Sequence, residues 1–431
     1  MCRPSRPVTS AAFVAFVACV AGPSPAAAQA GAPSPAATAP ATGPAAAPVA
    51  PSPAFENCLV RLRADAIARG IPRAVAERHL AGLERDPSVL ESLDFQPEFR
   101  TPIWDYLAAL VDTQRVDDGR AMLERWAEVL GSVEARHGVD RATVVAVWGV
   151  ESDFGRSIGR KPIVRSLATL SCEGRRQAFF RDQLIAALRI LADGHVAPER
   201  FTGSWAGAFG QTQFMPTTFL ESAVDHDGDG RRDVVDTVPD ALASTANYLK
   251  RAGWRSGEPW GWEVRLPEGF DASLAGRTKR RPLADWAARG VKRVDGHPLE
   301  RSPSPAAVLL PAGPSGPAFV VLRNFDAIHA YNAAESYALA IAHLADRLRG
   351  GGPFAAPWPT DDPGLSRAER RELQTLLLGR GHAIGEADGL IGSVTRRAIR
   401  DEQARLGAPQ DGRAGMKLLA TLRREAGTAS R

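Results

Sequence analysis

The pattern of hydrophobic and polar positions predicts a mainly helical protein that contains a small β region. From residue 55 to about residue 254, apolar side chains recur at helical spacing. Between residues 260 and 321 the pattern changes to short apolar runs separated by glycine and proline, which indicates strands near 262–267, 306–311 and 318–322. The predicted helices before and after these strands are 55–69, 72–83, 117–137, 140–151, 176–192, 216–224, 239–252 and 335–348. The expected fold class is therefore mainly α (α+β).

Two segments of low complexity divide the chain into domains. Residues 29–53 consist almost entirely of Ala, Pro, Gly, Ser and Thr, and residues 350–364 are rich in glycine and proline, so both are predicted linkers. The main domain is expected between them, at 54–349. Residues 365–425 form a separate small unit, with three helical patterns at 366–378, 393–406 and 416–424.

The N-terminus carries the pattern of an export signal. A basic start precedes an apolar run over residues 11–21, and small residues then provide a cleavage site after Ala28, so residues 1–28 are a predicted signal peptide. The run is too short to span a bilayer. Phe16-Val-Ala-Cys19 is a loose match to a lipoprotein processing site, so lipid attachment at Cys19 is an alternative. We expect a periplasmic location.

Composition narrows the class of protein only slightly. A length of 431 residues allows two or three domains, and 44% hydrophobic with 24% charged residues is typical of a globular protein. The formal charge of +4 comes without a basic stripe interleaved with aromatics, which argues against nucleic acid. In the exported part, Cys58 and Cys172 could form one disulfide or remain two separate buried thiols.

The most informative single residue is a carboxylate at the end of an apolar helix. Asp140 is a suitable N-cap, the residues after it are mostly apolar, and Glu151 lies just before Gly155 breaks the helix. A carboxylic acid in apolar surroundings retains its proton to higher pH and can donate it. Glu151 is thus a candidate general acid, although a helix-terminal glutamate in a surface salt bridge would have the same local pattern.

A second motif, residues 204–216, combines glycines with neutral polar residues. Ser204, Gln211 and Gln213 offer the donors and acceptors that suit sugar hydroxyl and acetamido groups. The alternative is a glycine-rich turn whose aromatic residues fill the core, and for Phe214 we favour that alternative.

A third motif resembles a calcium-binding loop of the EF-hand type. Asp225, Asp227 and Asp229 occupy alternate positions and Gly230 follows at position 6. Asp236 stands at position 12, where a bidentate glutamate is usual. An acidic turn without an ion is the alternative, because two arginines follow the glycine directly.

The first two motifs together resemble the membrane-bound lytic murein transglycosylase B family. The resemblance rests on Trp148-Gly-Val-Glu-Ser-Asp-Phe-Gly155 and Ala206-Gly-Ala-Phe-Gly-Gln-Thr-Gln-Phe-Met-Pro216, with further matches at 175–180, 240–249 and 336–340. It covers about residues 55–349. The family implies a lysozyme-like helical domain that cleaves peptidoglycan between N-acetylmuramic acid and N-acetylglucosamine, and no cofactor for this chemistry.

The resemblance also implies roles for individual residues. Glu151 would protonate the glycosidic oxygen and then, as a base, accept the proton of the muramoyl C6 hydroxyl, giving a 1,6-anhydro product. Ser204 and Gln213 would contact the sugar, and Tyr248 and Tyr337 would line the cleft, with Tyr337 the better candidate for direct contact. Each tyrosine could equally be a core residue.

For two further sites the implications are weaker. Asp153 matches no catalytic role in the family, and we expect it to be structural. In related enzymes that bind calcium the loop is longer and the last ligand falls near Asp240, so the candidate ligands of a structural Ca²⁺ are Asp225, Asp227, Asp229, Asp236 and Asp240.

The C-terminal unit is similar to the three-helix peptidoglycan-binding domain often appended to wall hydrolases. Its Leu373-Gln374 pair and the turns Asp388-Gly389 and Asp411-Gly412 carry the similarity. The expected partners are peptidoglycan glycan strands, with other cell-wall enzymes as further candidates. Two alternatives to a lytic transglycosylase stay open: a muramidase that adds water at the same bond, and a non-catalytic wall-binding scaffold.

Overall fold

The computed structural model describes residues 52–94 and 101–429. The predicted signal peptide, Cys19 and nearly all of the first linker lie outside the described residues. In the part of the chain that is described, no helix combines the length and hydrophobicity needed to cross a membrane.

The described residues fold mainly into helices with two small antiparallel sheets, one of five strands and one of two. A mainly helical fold with a small β region is what the pattern predicted. The helices are α1 (Pro53–Ala68), α2 (Arg73–Leu80), α3 (Pro87–Glu91), α4 (Ile103–Leu110), α5 (Thr113–Arg125), α6 (Ala127–His137), α7 (Arg141–Ser152), α8 (Ile163–Glu173), α9 (Gln177–Ala192), α10 (Pro216–Ser222), α11 (Val238–Arg251), α12 (Leu283–Ala288), α13 (Arg323–Tyr331), α14 (Glu335–Leu348), α15 (Arg367–Gly379), α16 (Ser393–Arg405) and α17 (Met416–Ala429). The strands are β1 (Lys161–Pro162), β2 (Thr202–Gly203), β3 (Gly261–Arg265), β4 (Arg281–Pro282), β5 (Lys292–Arg293), β6 (Pro305–Leu309) and β7 (Ala318–Val321).

The five-stranded sheet has the strand order β4-β6-β7-β3-β5, and its described pairings are antiparallel. Strands β1 and β2, which were not predicted, pair with each other in the two-stranded sheet. The three strands predicted from sequence are β3, β6 and β7, which lie together at the centre of the five-stranded sheet. The short edge strands β4 and β5 were not predicted, because two residues are too few to show an alternating pattern.

Five helices, α3, α4, α8, α12 and α13, were also not predicted, and α3 has only 5 residues. α4 and α12 are only 8 and 6 residues long. α8 begins with Ile163 and Val164 and contains serine and threonine, which weakens the helical signal from propensity. Burial of its apolar face, with Leu167 and Leu170 fully inaccessible, outweighs that weak propensity. The predicted helix 117–137 is divided in two at Trp126.

The helix that carries the candidate acid lies in the core. Asp140 caps α7 as predicted, with its carboxylate accepting a hydrogen bond of 3.1 Å from the Thr143 N–H. The middle of α7, including Val144, Val145 and Val147, is wholly inaccessible to solvent. α7 packs against α5, α11 and α14. Cys58 and Cys172 form a disulfide that joins α1 to α8, so the first of the two alternatives for these cysteines is the one observed.

The segment predicted as the second linker lies against the main domain. The Phe354 ring stacks on His343 with 3.8 Å between ring centroids. The N–H groups of Ala355 and Ala356 each donate a hydrogen bond of 2.7 Å to the Glu263 carboxylate. The three C-terminal helices that follow share their own hydrophobic core, and α15 opens with a capping box formed by Ser366 and Glu369.

Candidate active site

A sharp turn ends α7 and places Glu151 in its last helical turn. The three residues after the helix, Asp153, Phe154 and Gly155, have φ angles of 51°, 59° and 81°. This left-handed conformation is costly for the two residues that carry side chains, so the surroundings must hold the turn. The Ser152 hydroxyl accepts a hydrogen bond of 3.1 Å from the Gly155 N–H and donates one of 2.7 Å to the Gln211 carbonyl.

Gln211 joins the second sequence motif to α7. Its side-chain oxygen accepts a hydrogen bond of 3.0 Å from the Trp148 indole, and its side-chain amide donates one of 3.1 Å to the Val235 carbonyl. Both the oxygen and the nitrogen of the Gln211 side-chain amide thus have partners in the protein, and 6% of the residue is exposed. Gln211 therefore holds the backbone of the site in place. The sequence had indicated sugar binding for this residue and gave no sign of the contact with Trp148.

The Glu151 carboxyl is buried, with 8% of the residue exposed. The Tyr337 hydroxyl donates a short hydrogen bond to Glu151 Oε1. Burial raises the pKa of Glu151 to about 8, and the Tyr337 hydrogen bond opposes part of that rise because it stabilises the carboxylate. Glu151 is therefore largely protonated near neutral pH and can act as a proton donor.

Tyr337 belongs to a cluster of tyrosines beside the carboxyl. The Tyr331 ring stacks on the Tyr337 ring with 6.4 Å between ring centroids, and it meets the Tyr248 ring edge-on with 4.7 Å between centroids. The Tyr248 hydroxyl donates to the Ala330 carbonyl at 2.6 Å, so it is satisfied by the protein. Of the two predicted tyrosines, only Tyr337 has a described hydrogen bond to Glu151. Burial, and after it the charges of Glu221 and Glu151, raise the pKa of Tyr248 to about 12. Tyr331 was missed, because α13, which ends at this residue, was not predicted.

Ser204 and Gln213 both lie in the loop next to the end of α7, with 5% and 6% of their surfaces exposed. The Ser204 hydroxyl accepts a hydrogen bond of 3.1 Å from the Ala208 N–H. Gln213 has a φ of 49°, and its side-chain amide donates to the carbonyls of Ile158 and Gly210 at 3.1 and 2.8 Å. Its buried Oε1 atom has no hydrogen-bond partner among the described residues. Phe214 is 2% exposed and lies in the core, as expected.

The acidic loop brings together three of the five candidate metal ligands. Oxygen atoms of Asp225, Asp227 and Asp229 lie within 4.8 Å of one another. Asp236 instead pairs with Arg200, whose Nε lies 3.1 Å from its Oδ1. Asp240 is fully buried and accepts hydrogen bonds of 2.7 Å from two N–H groups at the two ends of the loop, so it shapes the loop from within.

The side chains of the two arginines in this loop make their described contacts elsewhere, although the Arg231 backbone N–H donates a hydrogen bond of 2.7 Å to Asp229 Oδ1. The Arg231 guanidinium donates to the His195 carbonyl at 3.0 Å and to Asp233 at 3.1 Å. Arg232 lies against the His195 ring, 3.3 Å from its Nε2. Since these contacts direct both cations to His195, the cluster retains the hard oxygen donors that suit Ca²⁺.

The sequence and the fold match a known class of enzymes. Residues 54–346 match the family model described as "Transglycosylase SLT domain", and residues 366–422 match "Putative peptidoglycan binding domain". The protein is an enzyme of the lytic transglycosylase class, with a lysozyme-like fold and an appended peptidoglycan-binding domain. The chain belongs to the transglycosylase SLT domain family, which confirms the resemblance found in the sequence.

Three relatives place the chain within this family. It is 29% identical to membrane-bound lytic murein transglycosylase B of Escherichia coli (strain K12) over 65% of this chain and 79% of that protein. It is 51% identical to SltB3 from Pseudomonas aeruginosa in complex with NAG-anhNAM-pentapeptide, with a TM-score of 0.70 over 86% of this chain and 100% of that one. It is 28% identical to the Escherichia coli lytic transglycosylase Slt35 in complex with calcium, with a TM-score of 0.59 over 69% and 93% of the two chains.

Proposed function

We propose that this enzyme cleaves the β-1,4 bond between N-acetylmuramic acid and N-acetylglucosamine without adding water, with Glu151 as the single acid and base. The observation that carries the proposal is the buried Glu151 carboxyl, which has a pKa of about 8 and a hydrogen bond from Tyr337. Such a group holds a proton near neutral pH and is stabilised by Tyr337 once the proton has left.

In the first step, protonated Glu151 donates its proton to the glycosidic oxygen. The bond between that oxygen and C1 of the muramoyl residue breaks, and the N-acetylglucosamine portion leaves with a new hydroxyl. Positive charge develops at C1, and the substrate's own acetamido group relieves it. Glu151 is left as a carboxylate, accepting the Tyr337 hydrogen bond.

In the second step, the Glu151 carboxylate takes the proton of the muramoyl C6 hydroxyl, whose oxygen forms a bond to C1. The 1,6-anhydro ring closes and Glu151 regains the proton with which it began. Most glycosidases instead use two carboxylates. Among the described residues no second carboxylate lies close enough to perturb the pKa of Glu151, and Asp153 is held by arginines.

The proposed substrate contacts are Ser204, Gln213, Tyr248 and Tyr337. Gln213 would accept a hydrogen bond through Oε1, which has no partner among the described residues, and Ser204 would bind through its hydroxyl. The rings of Tyr248 and Tyr337 would supply an apolar surface for the sugar. The C-terminal domain would hold the enzyme on the wall, and the mature protein would reside in the periplasm. Lipid attachment at Cys19 is the alternative to cleavage after Ala28, because that cleavage would remove Cys19. Other cell-wall enzymes are further candidate partners.

Product analysis separates this proposal from a hydrolytic muramidase. We expect purified enzyme acting on isolated sacculi to give muropeptides with 1,6-anhydromuramoyl ends, which mass spectrometry distinguishes from hydrolysis products by the loss of one water. Reducing muramic acid ends as the main product would contradict the proposal and favour the muramidase. The complex of SltB3 with an anhydro muropeptide favours the non-hydrolytic reaction. A wholly inactive protein would favour the wall-binding scaffold.

We also propose that Asp225, Asp227 and Asp229 hold a structural Ca²⁺, because their oxygens converge and the neighbouring arginines are engaged elsewhere. We expect millimolar Ca²⁺ to raise the Tm of the protein by a few degrees, since an ion that binds only the folded state stabilises it. Asp227→Asn should remove this response.

Asp236→Asn is the matched control, since Asp236 pairs with Arg200 and is not part of the cluster. It should retain the calcium response. Equal Tm values in calcium and in chelator for the unmodified protein would show that the loop is an acidic turn without an ion. The response is measured by calorimetry, and anhydro-product formation should not require the ion.

A further inference from the structure

The C-terminal domain contacts the turn that ends the catalytic helix. Arg367, the first residue of α15, reaches Asp153, which directly follows α7. Its Nη2 lies 2.9 Å from Asp153 Oδ1 and its Nη1 lies 3.2 Å from Oδ2, a two-pronged contact between guanidinium and carboxylate. Arg367 is 7% exposed. This ion pair thus joins the wall-binding domain to a residue two positions after Glu151.

The ion pair is part of a largely buried network of charges. The Arg367 N–H donates to Asp112 at 3.2 Å, and Arg115 Nη2 lies 3.5 Å from Asp153 Oδ1. On the exposed side, Arg156 Nε lies 3.2 Å from Asp153 Oδ2. Burial alone would raise the pKa of Asp153, but the guanidinium groups, that of Arg367 first, outweigh it and lower that pKa. Asp153 is therefore ionised and held from several sides.

The network acts on a stretch of backbone that needs support. Asp153 and the next residue, Phe154, are both left-handed, and the Asp153 N–H donates to the Gly149 carbonyl at 3.1 Å to close the last turn of α7. Glu151 lies in that turn. Movement of the Asp153 side chain would be transmitted to the turn and would change the distance between the Glu151 carboxyl and the Tyr337 hydroxyl.

A second arginine docks the same domain at another place. Arg413 Nε lies 2.6 Å from Asp105 Oδ2, and its Nη2 lies 2.8 Å from Oδ1. Asp105 belongs to α4, and the other described partner of Arg413 across the domain boundary is Asp362 in the preceding segment. Loss of Arg413 therefore weakens domain docking without removing a contact to Asp153.

We propose that Arg367 is a positioning residue: through Asp153, the docked wall-binding domain fixes the turn that presents Glu151 to the glycosidic bond. The proposal rests on the acid–base role of Glu151 proposed above. It gives the C-terminal domain a part in catalysis as well as in binding to the wall.

The test measures kcat and KM on a soluble peptidoglycan tetrasaccharide, for which attachment to sacculi is irrelevant. We expect Arg367→Ala to lower kcat about tenfold with KM within about twofold, since small displacements of a catalytic group cost this much or more. Arg367→Lys, which keeps the charge, should recover part of the loss. Arg413→Ala, the matched control, should keep kcat within about twofold of the unmodified enzyme. Equal kcat losses for the two alanine variants, or none for Arg367→Ala, would overturn the proposal.

A double-mutant cycle with Asp153→Asn tests the route of the effect. The double variant Arg367→Ala/Asp153→Asn should be no slower than the slower single variant, because each change removes the same ion pair between Arg367 and Asp153. Losses that multiply would exclude Asp153 as the intermediary. If thermal unfolding shows that Arg367→Ala is not folded, Asp153→Asn and Arg367→Lys decide: unchanged kcat in both would overturn the proposal.

The outcome is distinguishable from failure of the proposed function. All Arg367 variants should still form anhydro ends, whereas failure of the Glu151 assignment would appear as activity in Glu151→Gln. An unchanged kcat in Arg367→Ala, with anhydro product, would contradict the positioning role of Arg367 and leave the proposed role of Glu151 intact.

Discussion

Replacing Glu151 with glutamine is expected to lower the rate of anhydro-muropeptide formation by at least about 1000-fold, because the residue serves as both acid and base and each role is typically worth a factor of about 100 to 10,000. Glutamine has nearly the same shape, and its carbonyl oxygen can still accept the hydrogen bond from Tyr337. The loss should therefore fall on kcat, with substrate binding retained. The measurement is the initial rate on sacculi, quantified by mass spectrometry of anhydro ends.

The control for this variant is a glutamate of similar chemistry outside the site. Glu128 is exposed on α6, and Glu128→Gln should have the rate of the unmodified enzyme. A Glu151→Gln rate above about a tenth of the unmodified rate would show that another group transfers the proton. No described carboxylate is close enough to perturb the Glu151 pKa, so the structure offers no obvious substitute.

The local part of the site could be predicted from the sequence. The Asp140 cap, the apolar run of α7 and the position of Glu151 all lie within twelve consecutive residues, and a pattern over that range is readable. The resemblance to a known family then supplied the role. The structure added the burial that raises the Glu151 pKa, which no local pattern can measure.

The partners of that residue could not be predicted in the same way. Tyr337 is 186 residues from Glu151 along the chain, and Arg367 is 214 residues from Asp153. Contacts over such separations depend on how helices pack, and no spacing within one helix encodes them. For the same reason the residue type of Gln211 suggested groups that suit a sugar, but not its hydrogen bond with the Trp148 indole, 63 residues away along the chain.

The buried acid should also make the enzyme's stability depend on pH. The pKa of Glu151 is about 8 in the folded protein and 4.5 for an ordinary glutamate, which represents the unfolded chain. The folded state therefore binds the proton more tightly. Below pH 4.5 the carboxyl is protonated in both states, and the stability of the folded protein is unaffected. As the pH rises from 4.5 to about 8, the carboxyl ionises in the unfolded state first, which stabilises that state and lowers the free energy of unfolding.

Glutamine at position 151 cannot ionise, so the free energy of unfolding of Glu151→Gln should not show this fall with pH. At about 1.4 kcal/mol per pKa unit, we expect the free energy of unfolding of the unmodified enzyme to fall by about 4 kcal/mol more than that of the variant between about pH 5 and pH 9. Urea unfolding of both proteins at each pH measures the difference, in which the contributions of the other ionisable groups cancel. Glu128→Gln should follow the unmodified curve. Parallel curves for Glu151→Gln and the unmodified enzyme would mean that Glu151 is ionised near neutral pH, and the first proton transfer would then need another donor.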